Sequence, residues 1–181
     1  QLRTGNLSVD EWTKVAVSAQ NIARMPMYID DSAGITVAEM KAKLRRVPNL
    51  GLVVIDYLQL MSSGRRIDNR VQEVSEITRN LKVMAKELDV PIITLSQLSR
   101  SPDKRTGDHR PVLSDLRESG SIEQDADLVM FLYRDEYYND DSEDKGVAEV
   151  IVAKNRHGET STVPLGWDGA HTRFMDVDFK R

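Results

Sequence analysis

Leu52-Val53-Val54-Ile55-Asp56-Tyr57-Leu58-Gln59-Leu60-Met61 is the stretch on which the fold turns. Its first four residues are apolar and β-branched or leucine, without the in–out alternation of a half-exposed strand. A run of that kind predicts a parallel strand covered on both faces. Outward from it, Val71, Val74, Ile77, Leu81, Met84 and Leu88 recur every three or four residues, which predicts an amphipathic helix of about five turns. Pro91 then introduces Ile92-Ile93-Thr94-Leu95, a second buried-strand candidate. Strand, helix and strand in that order predict a right-handed βαβ crossover.

Upstream, Ser8-Val9-Asp10-Glu11 and Thr36-Val37-Ala38-Glu39 each carry a capping-box pattern. The first opens a helix with Trp12, Val15, Ala16, Ala19, Ile22 and Ala23 on one face; the second buries Val37, Met40, Leu44 and Val47 and stops at Pro48. Downstream, residues 99–121 read as a long polar loop broken by Pro102, Gly107, Pro111 and Gly120, a length that is usually functional or disordered, and a mobile surface loop would have the same composition. Ser121-Ile122-Glu123-Gln124 caps a short turn, Leu128–Tyr133 predicts a third strand, and Val147–Lys154 with Thr160–Leu165 predicts an antiparallel hairpin around residues 156–159. The expected architecture is α/β, one mixed and mainly parallel sheet flanked by helices, with antiparallel strands at its C-terminal end.

The chain has 181 residues, 40% of them hydrophobic and 30% charged, the balance of a folded globular protein. It has no cysteine, which excludes disulfides, thiolate metal sites and cysteine nucleophiles. No apolar run approaches the roughly 20 residues of a membrane span, and no signal-peptide pattern opens the chain, so a cytoplasmic protein with no membrane partner is expected. The net charge of −4 is a misleading mean. Residues 135–145 hold six acids against Lys145 alone, a local −5 that leaves the rest at +1. The 100–117 stretch is +2, from five cations against three aspartates, so a nucleic-acid partner stays open. The acidic run lacks the EF-hand pattern and reads as a solvated loop.

Four places could carry chemistry. Asp56 lies just past the C-terminal end of a predicted parallel strand, where α/β sheets bind ligands, though an aspartate capping an ordinary turn gives the same pattern. Gln97, in Leu95-Ser96-Gln97, ends the adjacent strand and would face the same crevice, where its amide could touch a γ-phosphate or its attacking water, or be merely a satisfied strand-end glutamine. Lys154 and Arg156, spaced i, i+2, point the same way and could neutralise a transferring phosphoryl group, or simply line a solvated hairpin edge. Arg117, Glu118, Ser119 and Gly120 combine a phosphate-binding cation with exposed backbone N–H groups. The absence of Phe, Trp and Tyr between 99 and 121 favours tracking of a nucleic-acid backbone over base stacking. GxSxG, HExxH and GxGxxG are all absent.

Taken in order, Leu-Val-Val-Ile-Asp-Tyr-Leu-Gln-Leu-Met (52–61), Leu-Ser-Gln-Leu-Ser-Arg (95–100), Ser-Asp-Leu-Arg-Glu-Ser-Gly-Ser-Ile-Glu-Gln-Asp-Ala-Asp (114–127) and Ala-Lys-Asn-Arg-His-Gly (153–158) closely resemble the C-terminal motor domain of the DnaB family of bacterial replicative helicases. Tyr28-Ile29-Asp30-Asp31 and Arg45-Arg46 extend the likeness through nearly the whole chain. The resemblance implies a RecA-like P-loop NTPase fold, a homo-hexameric ring, and ATP- and Mg²⁺-dependent translocation on single-stranded DNA with duplex unwinding. It implies that Asp56 is the Walker B aspartate holding Mg²⁺ and that Gln97 couples phosphate state to the DNA loops. Lys154 and Arg156 look like the finger pair reaching a neighbouring subunit's ATP site. Arg117, Glu118 and Gly120 match the loop that follows DNA in the channel. Primase and a helicase loader are the partners it implies, at a bacterial replication fork in the cytoplasm.

One departure stands out: no Gly-Lys-Ser or Gly-Lys-Thr occurs, so the family's Walker A loop is absent. The expectation is a partial motor domain over 1–181 that begins downstream of Walker A and of the catalytic glutamate, without the N-terminal primase-binding domain. Such a domain should expose an apolar surface at the centre of its sheet. Two other functions fit the fold, a RecA-like recombinase or mediator ATPase and a non-catalytic DNA-binding ring domain.

Overall fold

The computed structural model describes residues 5–116 and 120–177. The chain divides into two compact units, the first ending at Ser32 and the second beginning at Ala33. The first contains α1 (Val9–Ala23), opened by Ser8. The Ser8 hydroxyl accepts the Glu11 N–H at 3.3 Å, and the Glu11 carboxylate accepts the Ser8 N–H at 2.8 Å, so two otherwise unpaired groups are satisfied reciprocally.

The second unit begins with α2 (Val37–Leu44), capped in the same way by Thr36 and Glu39. Next come β1 (Val53–Ile55), α3 (Arg70–Leu88) and β2 (Ile92–Thr94). β1 and β2 pair in parallel, Val53 opposite Ile92 and Ile55 opposite Thr94. The expected strand–helix–strand unit is therefore present. α3 starts at Asn69, whose side chain accepts the N–H groups of Val71 and Gln72, and it buries Val74, Ile77, Leu81 and Met84. These pack with Val37, Val53, Ile55, Leu58, Met61 and Val90 into one core.

After β2 come two short helices, α4 (Ser101–Lys104) and α5 (Gly120–Asp125), and then β3 (Leu128–Tyr133), β4 (Val147–Asn155), β5 (Ser161–Asp168) and β6 (Arg173–Met175). These strands form a four-stranded antiparallel meander in chain order. A second core of Leu116, Val129 and Phe131 lies under it, and Ile122 of α5 packs against both cores.

Three expectations need correction. The parallel and antiparallel strands form two sheets, not one mixed sheet. β2 and β3 share no ladder; a groove of about 900 Å³ lies against both, lined by Ile93, Leu95, Met130 and Leu132 and by Leu81 of α3. Nor is the first strand covered on both faces. Val53 and Ile55 are buried, but Val54 between them is 58% exposed, because no described element packs on that side. Ile93, Leu95, Leu128, Met130 and Leu132 are exposed with it, so an apolar surface is present, divided between the two sheets rather than at the centre of one.

The third correction concerns the polar segments. The described part of the 99–121 segment is pinned rather than free. Arg105 donates two hydrogen bonds to the buried Asp115 carboxylate at 2.8 and 2.9 Å, and Asp115 also accepts the Val112 N–H. Arg110 grips Glu149 of β4 through both carboxylate oxygens and lies over the Tyr133 ring. The acidic run is likewise structured at its start: Asp135 accepts the Tyr133 hydroxyl, and Tyr138 stacks between His109 and Tyr133. Bidentate pairing and ring stacking hold segments that composition alone reads as solvated.

Met84 is 1% exposed and Val83 beside it 47% exposed. Met84→Ala is expected to cost about 2–5 kcal/mol by urea denaturation, and Val83→Ala less than about 1 kcal/mol.

Candidate functional site

β1 ends at Ile55, and the chain leaves it through Asp56 and a cis peptide to Tyr57 into a 3₁₀ turn, Leu58–Leu60. The parallel ladder continues past both strands: Leu95 N–H donates to Ile55 C=O and Leu58 N–H donates to Leu95 C=O, each at 2.9 Å. These bonds align the two strand ends, and Asp56, Tyr57, Leu95, Ser96 and Gln97 line one cleft of about 360 Å³. Asp56 and Gln97 are both exposed in it. The two candidates that the sequence places at neighbouring strand ends thus share one opening.

Gln59 braces two of the residues that line the cleft. Its side-chain oxygen accepts the Gln97 backbone N–H at 3.3 Å, and its side-chain nitrogen meets the Ser96 hydroxyl at 3.0 Å. Its backbone C=O accepts from Arg70 of α3 at 2.8 Å. Arg70 in turn bonds Glu73, which holds the Glu73 carboxyl below its usual range. Sequence reasoning gives Gln59 no role; the available signal is one polar residue between two leucines directly after the strand-end aspartate.

Lys154 is the penultimate residue of β4 and Arg156 follows the strand in the turn. Both reach the same element. Lys154 Nζ donates to the Glu123 carbonyl and Arg156 to the Gln124 carbonyl, the latter at 2.8 Å, so the pair caps the C-terminal carbonyls of α5. Cations suit that end of a helix, where the carbonyls are otherwise unpaired. Asp127 joins the cluster: it accepts from Lys82 of α3 and lies 3.6 Å from the Arg156 guanidinium. The Lys82 hydrogen bond chiefly, and Arg156 and His157 after it, hold the Asp127 carboxyl below its ordinary value. His157 serves the turn, its N–H donating to the Asn155 side chain at 3.2 Å. The structure does not bring Lys154 or Arg156 into the lining of the Asp56–Gln97 cleft.

Arg117 and Glu118 lie outside the described residues. Gly120 is described; it opens α5, is exposed, and has open space where a side chain would stand. Thr78 of α3 bonds Asp125 at the other end of α5 at 2.6 Å. The short helix is therefore held by α3 and by the Lys154–Arg156 pair together.

Asp56 suits one part of a Mg²⁺–nucleotide site, because Mg²⁺ commonly takes one or two carboxylates and fills its remaining positions with phosphate oxygens and water. Among the described residues no cluster of three or more His, Asp or Glu side chains could hold a metal by itself. No helix among them is long and apolar enough to cross a membrane.

A parallel strand pair joined by a helix, with a carboxylate and an amide at adjacent strand ends and an antiparallel sheet after them, fits a RecA-like ATPase fold. Solved structures agree. One solved ATPase domain superposes with a TM-score of 0.90 at 42% identity, covering 98% of this chain and 63% of that one. A DnaB-like replicative helicase solved with its primase interactions gives the same score and identity over 97% of this chain and 43% of that one. The profile described as DnaB-like helicase C terminal domain matches residues 1–176. The replicative DNA helicase DnaB of Geobacillus stearothermophilus is 51% identical over 181 residues, which is 98% of this chain and 40% of that protein. The chain belongs to the DnaB-like helicase C-terminal domain family. It spans about two-fifths of the length of the curated relatives it matches.

The lowered Asp127 carboxyl has a pH consequence. A carboxyl whose folded pKa lies below its unfolded value, about 3.9, contributes stability fully above that value and loses it as pH falls through the folded pKa. Urea midpoints are expected to drop as pH falls below about 4, with a shallower drop in Asp127→Asn.

Proposed function

We propose that these residues are the downstream part of a replicative ring helicase motor, in which ATP hydrolysis drives translocation on single-stranded DNA and duplex unwinding. The observation that carries the reading is the cleft shared by Asp56 and Gln97 at the ends of a parallel strand pair, in a chain whose relatives are named replicative helicases. Asp56 would hold Mg²⁺, which when bound would supply neutralisation of the nucleotide's phosphate charge. Gln97, anchored by its backbone, presents its amide to the γ-phosphate end of the nucleotide and moves the segment that follows it. Lys154 and Arg156 are the pair offered to the neighbouring subunit's nucleotide in a homo-hexamer, where a fixed guanidinium stabilises charge on the phosphoryl group in transfer. Arg117, Glu118 and Gly120 are the DNA-contacting positions. Their cation and backbone N–H groups follow phosphates, so binding tracks the strand without reading bases.

The 181 residues form one partial motor domain in this reading, and primase and a loader are partners of the whole helicase, acting in the bacterial cytoplasm at the replication fork. One relative was solved with its primase interactions, which supports the first of these partners. The sequence holds no Gly-Lys-Ser or Gly-Lys-Thr to cradle phosphates. The 181 residues alone are therefore expected to show no ATP hydrolysis above background in a phosphate-release assay; clear DNA-stimulated turnover would contradict this.

Finger and DNA positions should separate in a full-length helicase carrying this sequence. Arg156→Ala is expected to lower kcat on the order of 10³-fold with DNA affinity nearly unchanged. Arg117→Ala is expected to weaken DNA binding equally across sequences and to flatten its salt dependence by about one phosphate contact. Loss of both properties in Arg156→Ala would argue against a finger. A recombinase would instead score in strand exchange and fail in unwinding.

A further inference from the structure

Both ends of the Gln59 amide are engaged, and in a fixed sense. A backbone N–H can only donate, so the Gln97 N–H requires the side-chain oxygen of Gln59, which leaves the nitrogen for the Ser96 hydroxyl. Gln59 itself stands on a rigid base. The 3₁₀ turn that carries it begins at Leu58, 1% exposed in the core, and its C=O is held by Arg70 at the start of α3. The Leu58 N–H is also part of the ladder to Leu95. One side chain therefore ties the peptide that carries Gln97 to the turn that follows Asp56, while the Gln97 side chain stays exposed toward the cleft.

We propose that Gln59 is a positioning residue for nucleotide turnover: it fixes the Ser96–Gln97 peptide against the Asp56 turn, so that the Gln97 amide is held in register with the metal-holding carboxylate. This rests on the reading of Gln97 as the phosphate-contacting residue. Gln59 touches no nucleotide. Its effect runs through the orientation of Gln97, and misplacement of a reacting contact by a fraction of an ångström lowers the rate more than the affinity. Gln59→Glu keeps an acceptor for the Gln97 N–H and lets the Ser96 hydroxyl donate to the same carboxylate. Gln59→Leu keeps the bulk and removes both bonds.

The test is steady-state ATP turnover with and without single-stranded DNA, in a full-length helicase carrying this sequence. Gln59→Leu, Gln59→Glu, Gln97→Ala and the Gln59→Leu/Gln97→Ala double variant are compared, with ring assembly checked by light scattering. Gln59→Leu is expected to lower DNA-stimulated kcat about tenfold with KM for ATP within about twofold. Gln59→Glu should recover most of the rate, and the double variant should be no slower than Gln97→Ala. A Gln59→Leu enzyme within twofold of wild type, beside an impaired Gln97→Ala, overturns the positioning role. So does a double variant in which the two losses multiply, or a Gln59→Glu enzyme as slow as Gln59→Leu. An unimpaired Gln97→Ala instead overturns the reading of Gln97 on which the proposal stands. A Gln59→Leu chain that does not assemble is replaced by Ser96→Ala, which removes one of the two bonds and is expected to lower kcat about threefold at constant KM; an unchanged kcat there overturns the role.

Discussion

Everything at the site depends on the parallel register of β1 and β2 running one step beyond the strands. The Ile55–Leu95 and Leu95–Leu58 hydrogen bonds carry the ladder into the turn, and that extension sets the exposed Asp56 carboxylate and the Gln97 amide in one cleft. The pairing is short, three residues on each strand, so its rigidity comes from what lies beneath it. Val53, Ile55 and Leu58 sit in the α3 core, and Arg70 reaches from the first turn of α3 to the Gln59 carbonyl. A polar cleft is thereby mounted on a dry, close-packed base, which suits a site that must hold its geometry while bound charge changes.

A second dependency runs through α5. This six-residue helix is too short to be stable by itself, and it is fixed from three directions. Ile122 packs into both cores, Thr78 of α3 bonds Asp125, and Lys154 and Arg156 take the terminal carbonyls. Since Gly120 opens α5 shortly after Arg117 and Glu118 in sequence, any movement of the Lys154–Arg156 pair acts on the element next to the proposed DNA loop. In the proposed function, finger and DNA loop are thus linked by a helix of under two turns.

Much of the fold was legible in residue order. The 3.6-residue spacing from Val71 to Leu88 marks α3, and the reciprocal boxes at Ser8 and Thr36 mark the starts of α1 and α2, because those signals are local. The partition of strands between two sheets was not legible, since pairing between β2 and β3 depends on what occupies the groove between them and not on either strand's composition. The covered first strand failed for the same reason: Val54 is as apolar as Val53, and only its surroundings expose it. Asp56 and Gln97 could be named because strand ends are local features. The Arg110–Glu149 grip spans 39 residues and the Gln59–Gln97 bond 38, and no periodicity reports contacts of that separation.

Native-state hydrogen exchange of the Leu58 and Leu95 amides tests the central claim most directly. If the extended ladder is a rigid part of the core, both amides will exchange only through global unfolding, with the same free energy and denaturant slope as the Ile77 amide at the centre of α3. Exchange of Leu58 and Leu95 at rates typical of exposed loop amides, while Ile77 stays protected, would contradict it.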